Sequence, residues 1–493
     1  MAWYDFVLPV YSLNNYIYHR WIADAPSPAL QPFSLTLPSV DEGTPVPLIY
    51  GRCRVRAPVL IWSGNYLVPG QEYTRRIDGS TATADHYSVD MLFLVGLPFY
   101  GAIGSFTTIY AGDVQLRLAQ GDGLFIAGIG TVRGPADRDG HTNVGTASPI
   151  LDGVFFGGSP DQGISAGHRP TFSDGVDYGT VTNLANAMYQ TGLDPSLLPH
   201  GRNQMMVYAH IGLGQSASLS TLNFEVVSLS TGTASDMGRS LSDDADPAAV
   251  IYDLLTGGLG KLSLPPGKID RASFEAASVV LFGEGHGYSR AIETADEGGA
   301  LIADVLKQID GGLFEDPATG LLTLRLVRND FILPELLDIN PNNMRTPEPG
   351  WLSIQGWAET LNQVRVTFSD GNNNYVDAIP PAQNGANAML QGKLRSLDVR
   401  YPGCRQANTA RRLAARELAV VSRPTVKATV VVDRTFYQTR PLDVVTLTRP
   451  DLKINRMVMR VASVNLGQLH ANAITLNLIR DVFDVSAGAF PPP

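Results

Sequence analysis

Apolar residues recur at every second position over much of this chain, the period of a strand with one buried face. Val46-Pro47-Leu48-Ile49-Tyr50-Gly51 predicts a strand that ends at its glycine. In the next residues Arg52, Arg54 and Arg56 alternate with Cys53 and Val55, which places three arginines on one strand face, either solvated or meeting an acidic partner. Tyr87, Val89, Met91 and Phe93 alternate in the same way. The longest apolar stretch, Met91 to Gly104, is broken by Pro98 and predicts two buried strands joined by a turn. Met206 to Ile211 and Leu222 to Leu229 have strand character. Between these regions, 120–205 is rich in Gly, Asp and Ser, and long loops or an irregular insertion are expected there.

The period changes after residue 236. Asp246-Pro247 has the form of a helix start, with an N-cap acid and proline at the first helical position, and Val250, Ile251, Leu254 and Leu255 follow on one face until Gly257-Gly258. A second helix is expected over Arg271 to Phe282. Thr294-Ala295-Asp296-Glu297 reads as a capping box for a third, whose stripe is Ile302, Val305, Leu306 and Ile309 and whose stop is Gly311-Gly312. Leu313-Phe314, a turn at Asp316-Pro317-Ala318-Thr319-Gly320, and alternating Leu322, Leu324 and Leu326 predict a β-hairpin. Beyond it strands are expected at Val364 to Phe368, Val426 to Val432, Val444 to Leu447, Met457 to Val464 and Ile474 to Ile479, with one helix over Gln406 to Val421. That rhythm predicts a small barrel or sandwich.

The expected fold is mainly β with α+β insertions, in several domains. Residues 1–45 form an N-terminal arm, 46–235 a β-rich domain with a loop-rich insertion, 236–330 an α+β module, 331–485 a barrel-like domain with one helix, and 486–493 a Pro-rich end. The arm carries Trp3, Tyr4, Phe6, Tyr11, Tyr16, Tyr18 and Trp21 between prolines, so an extended segment packed on a neighbour is expected.

Composition sharpens this picture. A chain of 493 residues exceeds one core. Its charged fraction of 17% is low, and Gly 49 with Pro 33 fits many strands and tight turns, with surface covered by other chains. The net charge of −10 disfavours general nucleic-acid binding, and suits either plain solubility or a channel wall past which DNA slides. Cys53 and Cys404 are too few for a disulfide scaffold or a four-thiolate metal site and read as small buried apolar residues. The first twenty residues lack a basic stretch followed by an apolar core, and no apolar run reaches the ~20 residues of a membrane helix, so synthesis in the cytoplasm without membrane insertion is expected.

Candidate chemistry is thin. Gly287-Tyr288-Ser289-Arg290-Ala291 approaches a nucleophile elbow but ends in alanine, so a serine-containing turn is the better reading. Gly283, Gly285 and Gly287 lack dinucleotide-binding spacing. Asp137-Arg138-Asp139-Gly140 with Asn143 lacks the terminal glutamate of a calcium loop. His19, His86, His141, His168, His200, His210, His286 and His470 show no ligand pairing. No catalytic, cofactor-binding or metal-binding residue is therefore assigned, and no cofactor.

Three segments carry a family resemblance. The first is Gly43-Thr44-Pro45-Val46-Pro47-Leu48-Ile49-Tyr50-Gly51-Arg52-Cys53-Arg54-Val55 with Pro58 and Trp62-Ser63-Gly64; the second is the helix–hairpin from Leu301 to Val327. The third joins Leu361-Asn362-Gln363-Val364-Arg365-Val366, Ala414-Ala415-Arg416-Glu417-Leu418, Arg440-Pro441-Leu442-Asp443-Val444-Val445-Thr446-Leu447, Val461 to Gly467 and Leu478-Ile479-Arg480-Asp481-Val482-Phe483. In this order they resemble the hub proteins of long-tailed phages, the family of lambda-like tail tip attachment proteins and gene-transfer-agent hubs. Leu442 departs from the glycine such proteins often carry there, and the chain is expected to lack the fibre-like extension of the longer tip proteins.

The resemblance implies a non-enzymatic virion protein: a homotrimer at the distal end of the tail, with barrel-like domains that mimic tube subunits. Its partners would be the tail tube or distal tail protein, tip, fibre or spike proteins, and passing double-stranded DNA. Two other readings stay open, a peptidoglycan-degrading tail component and a receptor-binding tail protein.

Overall fold

The computed structural model describes residues 44–67, 72–75, 81–84, 87–99, 102, 104–112, 114–116, 129–133, 150–157, 203–214, 221–230, 237–258, 261–294, 298–468, 470 and 472–484. The predicted arm, the Pro-rich end and most of 120–205 lie outside these residues. The chain divides into two compact units: residues 1–48 with 54–227, and residues 49–53 with 228–493.

The first unit is built of strands. β1 (Leu48–Val55) is shared with the second unit; β2 (Val59–Leu67), the hairpin β3 (Glu72–Arg75) and β4 (Thr81–Ala84), and β5 (Tyr87–Gly96) follow. Then come β6 (Ser105–Ala111), β7 (Val114–Leu116), β8 (Ile129–Arg133), β9 (Ile150–Gly157), β10 (Met205–Gly214) and β11 (Leu222–Ser228). One antiparallel sheet has the order β2-β5-β10-β9-β8, and β11, β6 and β7 pair in that order in another. Phe93 of β5 and Phe224 of β11 bring their rings to 5.4 Å, so the two sheets bury their inner faces against each other. Met91, Leu92, Phe93, Leu94 and Val95 are all buried, so both faces of β5 are covered and the expected alternation fades into a continuous apolar run.

Three expectations for this region change. β1 continues through Gly51, whose φ of +64° bends the strand without ending it. Arg52, Arg54 and Arg56 do not share one environment: Arg52 is half-buried, Arg54 is buried with its guanidinium 4.1 Å over the Tyr110 ring and bonded to the Gly112 carbonyl, and Arg56 is exposed beyond the strand end. The expected irregular insertion contains two paired strands, β8 and β9.

The second unit opens with three helices, α1 (Pro247–Thr256), α2 (Arg271–Gly283) and α3 (Gly298–Ile309), with β12 (Arg290–Ile292) between the last two. The Asp246 side chain accepts from the Ala248 N–H, the expected cap, and Val250, Ile251, Leu254 and Leu255 are buried. The predicted capping box falls partly outside the described residues. Asp310, at φ 52°, ends α3, and Gly311-Gly312 open the hairpin β13 (Gly311–Glu315)–β14 (Leu322–Leu326). The helix stop is thus one residue earlier than expected.

After the hairpin come β15 (Asp338–Ile339), β16 (Leu352–Ile354), β17 (Gln363–Asp370), β18 (Val376–Ala378), β19 (Pro381–Gln383), α4 (Gly385–Gln391), β20 (Ser396–Arg400), α5 (Ala407–Val421), β21 (Val426–Val432), β22 (Val444–Arg449), β23 (Ile454–Asn465) and β24 (Ile474–Arg480). Six strands form a sheet of order β15-β22-β23-β24-β21-β16 around a core that includes Val430, Leu447, Met459, Val461 and Leu476. The predicted barrel is corrected here: among the described residues the sheet stays open. Its end strands are two and three residues long. Pro341 follows one and Pro349-Gly350 precede the other, which limits extension on those sides.

β17 belongs elsewhere. It pairs with β18 and β19 antiparallel and with β20 parallel, and α5 covers this small sheet. Val364, Val366, Phe368, Val399 and Tyr401 meet Ala410, Leu413 and Ala414 there. The region therefore holds two layered bodies and a second helix, α4, where one barrel with one helix was expected.

Candidate functional site

The near-elbow at Ser289 is a structural joint. Its hydroxyl donates to Asp244 Oδ1 at 2.6 Å and accepts from the Arg52 N–H at 3.2 Å. Asp244 also takes Arg405 Nε at 2.8 Å and Gln406 Nε2 at 2.5 Å. A carboxylate that already accepts three donors stabilises charge and position; it is not a base waiting for the serine proton. The backbone is locked alongside: Tyr288 and Ala245 exchange both hydrogen bonds, and the Ser289 N–H donates to the Gly403 carbonyl. A Cβ on Gly403 would lie 2.0 Å from the fully buried Tyr288 ring, and one on Gly51 would lie 2.4 Å from the Tyr288 carbonyl oxygen. These two glycines let three distant chain segments approach at backbone contact.

The same unit holds Tyr50 by charge. The Tyr50 hydroxyl donates to Asp253 Oδ2 at 2.9 Å, and Lys261 Nζ reaches the same oxygen at 2.5 Å. The ammonium lies 5.7 Å from the Tyr50 ring centroid. Burial, with Asp253 beside it, holds the Tyr50 hydroxyl well above its usual pKa, so it stays a neutral donor.

Arginines complete the frame. Arg416 donates to the Gln308 carbonyl at 2.8 Å and the Lys307 carbonyl at 3.0 Å, the last-turn acceptors of α3 that have no helical partner. Arg412 donates to the Glu284 and Gly285 carbonyls, and Arg328 binds the Glu284 carboxylate through two bonds of 2.5 and 2.7 Å. Arg440 reaches Asp316 at 2.9 Å and Arg460 reaches Asp481 at 2.6 Å, while Arg325 pairs with Asp443. The helix–hairpin module is thereby stapled to the small sheet's helix on one side and to the six-stranded sheet on the other. The carbonyl targets of Arg412 and Arg416 lie over a hundred residues away and left no local signal in the sequence.

The remaining candidates do not converge. His286 is mostly buried, and that burial depresses its pKa to about 4, so it is neutral. His470 is exposed, and His19, His86, His141, His168 and His200 lie outside the described residues, as does the Asp137 loop. Cys53 and Cys404 are buried free thiols, and burial pushes Cys404 up to about 12, which leaves it inert. Among the described residues no three His, Cys, Asp or Glu side chains are grouped to hold a metal ion, and no helix is long and apolar enough to cross a membrane.

What the described surface does offer is apolar area. Ile354, Trp357, Met389, Leu390 and Leu394 are exposed, with Met389 at 87% and Leu390 at 81%.

Comparison with known proteins agrees with this frame-like character. Residues 298–464, about a third of the chain, match the family model described as "Putative phage tail protein". No curated protein sequence matches. Among solved structures, a chain of the virion of a native gene transfer agent particle is similar at TM-score 0.56 and 13% identity, over 92% of this chain and 88% of that one. That likeness shows a shared fold. The 43 kDa tail protein of prophage MuSo2 from Shewanella oneidensis aligns at TM-score 0.28 and 11% identity, over 84% and 98% of the two chains. A tail protein from Neisseria meningitidis MC58 aligns at 0.33 and 10%, over 84% and 97%. The family match takes in the helix–hairpin and most of the third segment on which the resemblance rested. Residues 298–464 are thus similar to phage tail proteins, and the fold over most of the chain is similar to that of a gene transfer agent virion protein.

Proposed function

We propose that this chain is a structural hub at the distal end of a phage tail, in the baseplate or tail tip, where it closes or continues the tail tube and anchors tip or fibre proteins. It acts as a homotrimer and is not an enzyme. DNA passes it on ejection without sequence-specific binding. The observation that carries this reading is the use of the polar side chains. Asp244, Ser289, Arg405 and Arg416, which in an enzyme would face a substrate, are bonded to backbone and to each other and hold three chain segments rigid. Such a frame suits a part that transmits load between rings and presents surface to neighbours. The likeness of fold to a chain of a gene transfer agent virion supports the same setting.

Depletion of the chain from an infected culture tests it. Tails without it should fail to assemble or to terminate. Normal tails that merely penetrate the cell wall poorly would favour a peptidoglycan-degrading component. Normal tails that no longer adsorb to cells would favour a receptor-binding protein.

A further inference from the structure

Six of the exposed apolar residues of the second unit lie on elements tied together by hydrogen bonds, and these six make up a platform. Gln391 Nε2 at the end of α4 donates to the Trp357 carbonyl at 3.1 Å and to Thr360 Oγ1 at 2.9 Å. Asn387 Nδ2 donates to Thr360 Oγ1 and to the Ser422 carbonyl, both at 2.9 Å, which fixes α4 against the end of α5. The Gln355 N–H donates to the Thr425 carbonyl, and Ile354 pairs with Val426 at the sheet edge. Ile354, Trp357, Met389, Leu390, Leu394 and Val420 thus sit on elements tied to one another, and all are exposed. Each is on a fixed element, so the platform is preformed and loses little entropy on docking.

Its rim is basic. Lys393, Arg423 and Lys427 are exposed around it, with Glu359 as the nearby acid. Residues 352–430 hold ten Lys and Arg against five Asp and Glu, a net charge of +5. The whole chain has 37 against 47, or −10, so the rest of the chain carries −15. The segment that carries the platform is therefore net positive in an otherwise acidic chain, and the exposed charges at the platform itself are Lys393, Arg423 and Lys427 against Glu359.

We propose that this platform docks on the acidic surface of a second copy of the same chain. The partner is argued from charge: a like chain offers −15 outside this region, and opposite potentials both steer the encounter and fix its orientation. Because the platform meets a different surface on its neighbour, the contact is head-to-tail, the type that closes into a ring when the rotation allows. Trp357 and the Met389–Leu390 pair supply the buried centre and the basic rim supplies selectivity. This inference rests on the reading of the chain as an assembly protein, and names the surface that reading leaves open.

Sedimentation equilibrium of the full chain tests it, on wild type, the double variant Met389→Gln/Leu390→Gln, and the double variant Lys393→Glu/Arg423→Glu. Wild type should self-associate, and more weakly as salt rises. The apolar variant should associate about 30-fold more weakly or less well still. The charge variant should lose affinity at low salt and approach wild type at high salt. Unchanged thermal unfolding and circular dichroism establish that both variants fold, as expected for exposed positions. A monomeric wild type, or variants with wild-type association, would overturn the proposal. So would variants that self-associate normally yet no longer join tails, or no longer bind vesicles containing phosphatidylglycerol; these outcomes would give the platform to another tail protein or to a lipid surface. The hub reading fails separately, if the chain is found away from the tail end whatever its association.

Discussion

Leu442 sits in left-handed backbone, at φ 69°, where a side chain costs roughly 1–2 kcal/mol. Its carbonyl accepts from Arg460 and its N–H donates to the Val461 carbonyl, so the surroundings impose the conformation. The side chain occupies the space over Gly312, where a Cβ would come within 2.7 Å of Leu442 Cδ1. Leucine therefore trades backbone strain for packing, a structural reason for the departure from glycine noted in the sequence. Leu442→Gly should be at least as stable as Leu442→Ala, the reverse of the usual order, because alanine keeps the strain and loses the packing. Chemical unfolding of the two variants checks this.

Two buried groups set an unusual acid response. Burial raises Asp246 to about 6 despite the Ser278 hydroxyl that donates to it. The folded protein holds that proton where the unfolded chain releases it, so this group's contribution to stability falls as pH rises from about 4 to about 6. Burial lowers His286 from 6.5 to about 4, so its contribution falls in the opposite direction, as pH drops from about 6.5 to about 4. The two oppose each other. Asp246→Asn keeps a helix-capping oxygen and removes the ionisable group, so stability should then rise more steeply with pH across 4 to 6, by up to about 3 kcal/mol. Thermal unfolding at several pH values reads the slope. An unchanged slope would contradict the assignment. Neither group was visible as unusual in the sequence, since burial is a property of the packed chain.

Among the elements, α5 shows best how the frame holds. Its apolar face covers the small sheet, and its arginines cap the end of α3 and the 284–285 turn. Arg416→Met should leave the Lys307 and Gln308 carbonyls without that donor and cost about 2–4 kcal/mol, read as a lower urea midpoint. Gly403→Ala should cost as much or more, because the Tyr288 ring that a Cβ would meet is fully buried and cannot swing aside.

Legibility followed amphipathicity. α1, α2 and α5 have one buried stripe and start within a residue or so of the expected positions, as do β21 and β24, and α3 has the expected stripe. α4 was missed because its seven residues turn Met389 and Leu390 to the outside, which leaves no inward stripe to read. The strand at 363–370 was found but assigned to the wrong sheet, since alternation states that a strand has a buried face and not which partner buries it. The closed barrel failed for the same reason: closure depends on the end strands, and these are short and bounded by proline. At the site, Ser289 lies not in the expected turn but in the extended segment between the Tyr288 bridge and β12, and its partner Asp244 lay 45 residues away with no local signal.

For the whole molecule, the account holds that buried polar groups serve rigidity and that exposed apolar surface serves assembly. An open six-stranded sheet with short end strands, two stapled modules and a basic, apolar platform make a part built to be surrounded. The most direct test is a cryo-electron-microscopy reconstruction of intact tails that places this chain and counts its copies. The account predicts three copies in a ring at the distal end, each with its Trp357–Leu390 platform covered by a neighbouring copy. A chain distributed along the tube, or one copy at the tip with that platform open to solvent, would contradict it.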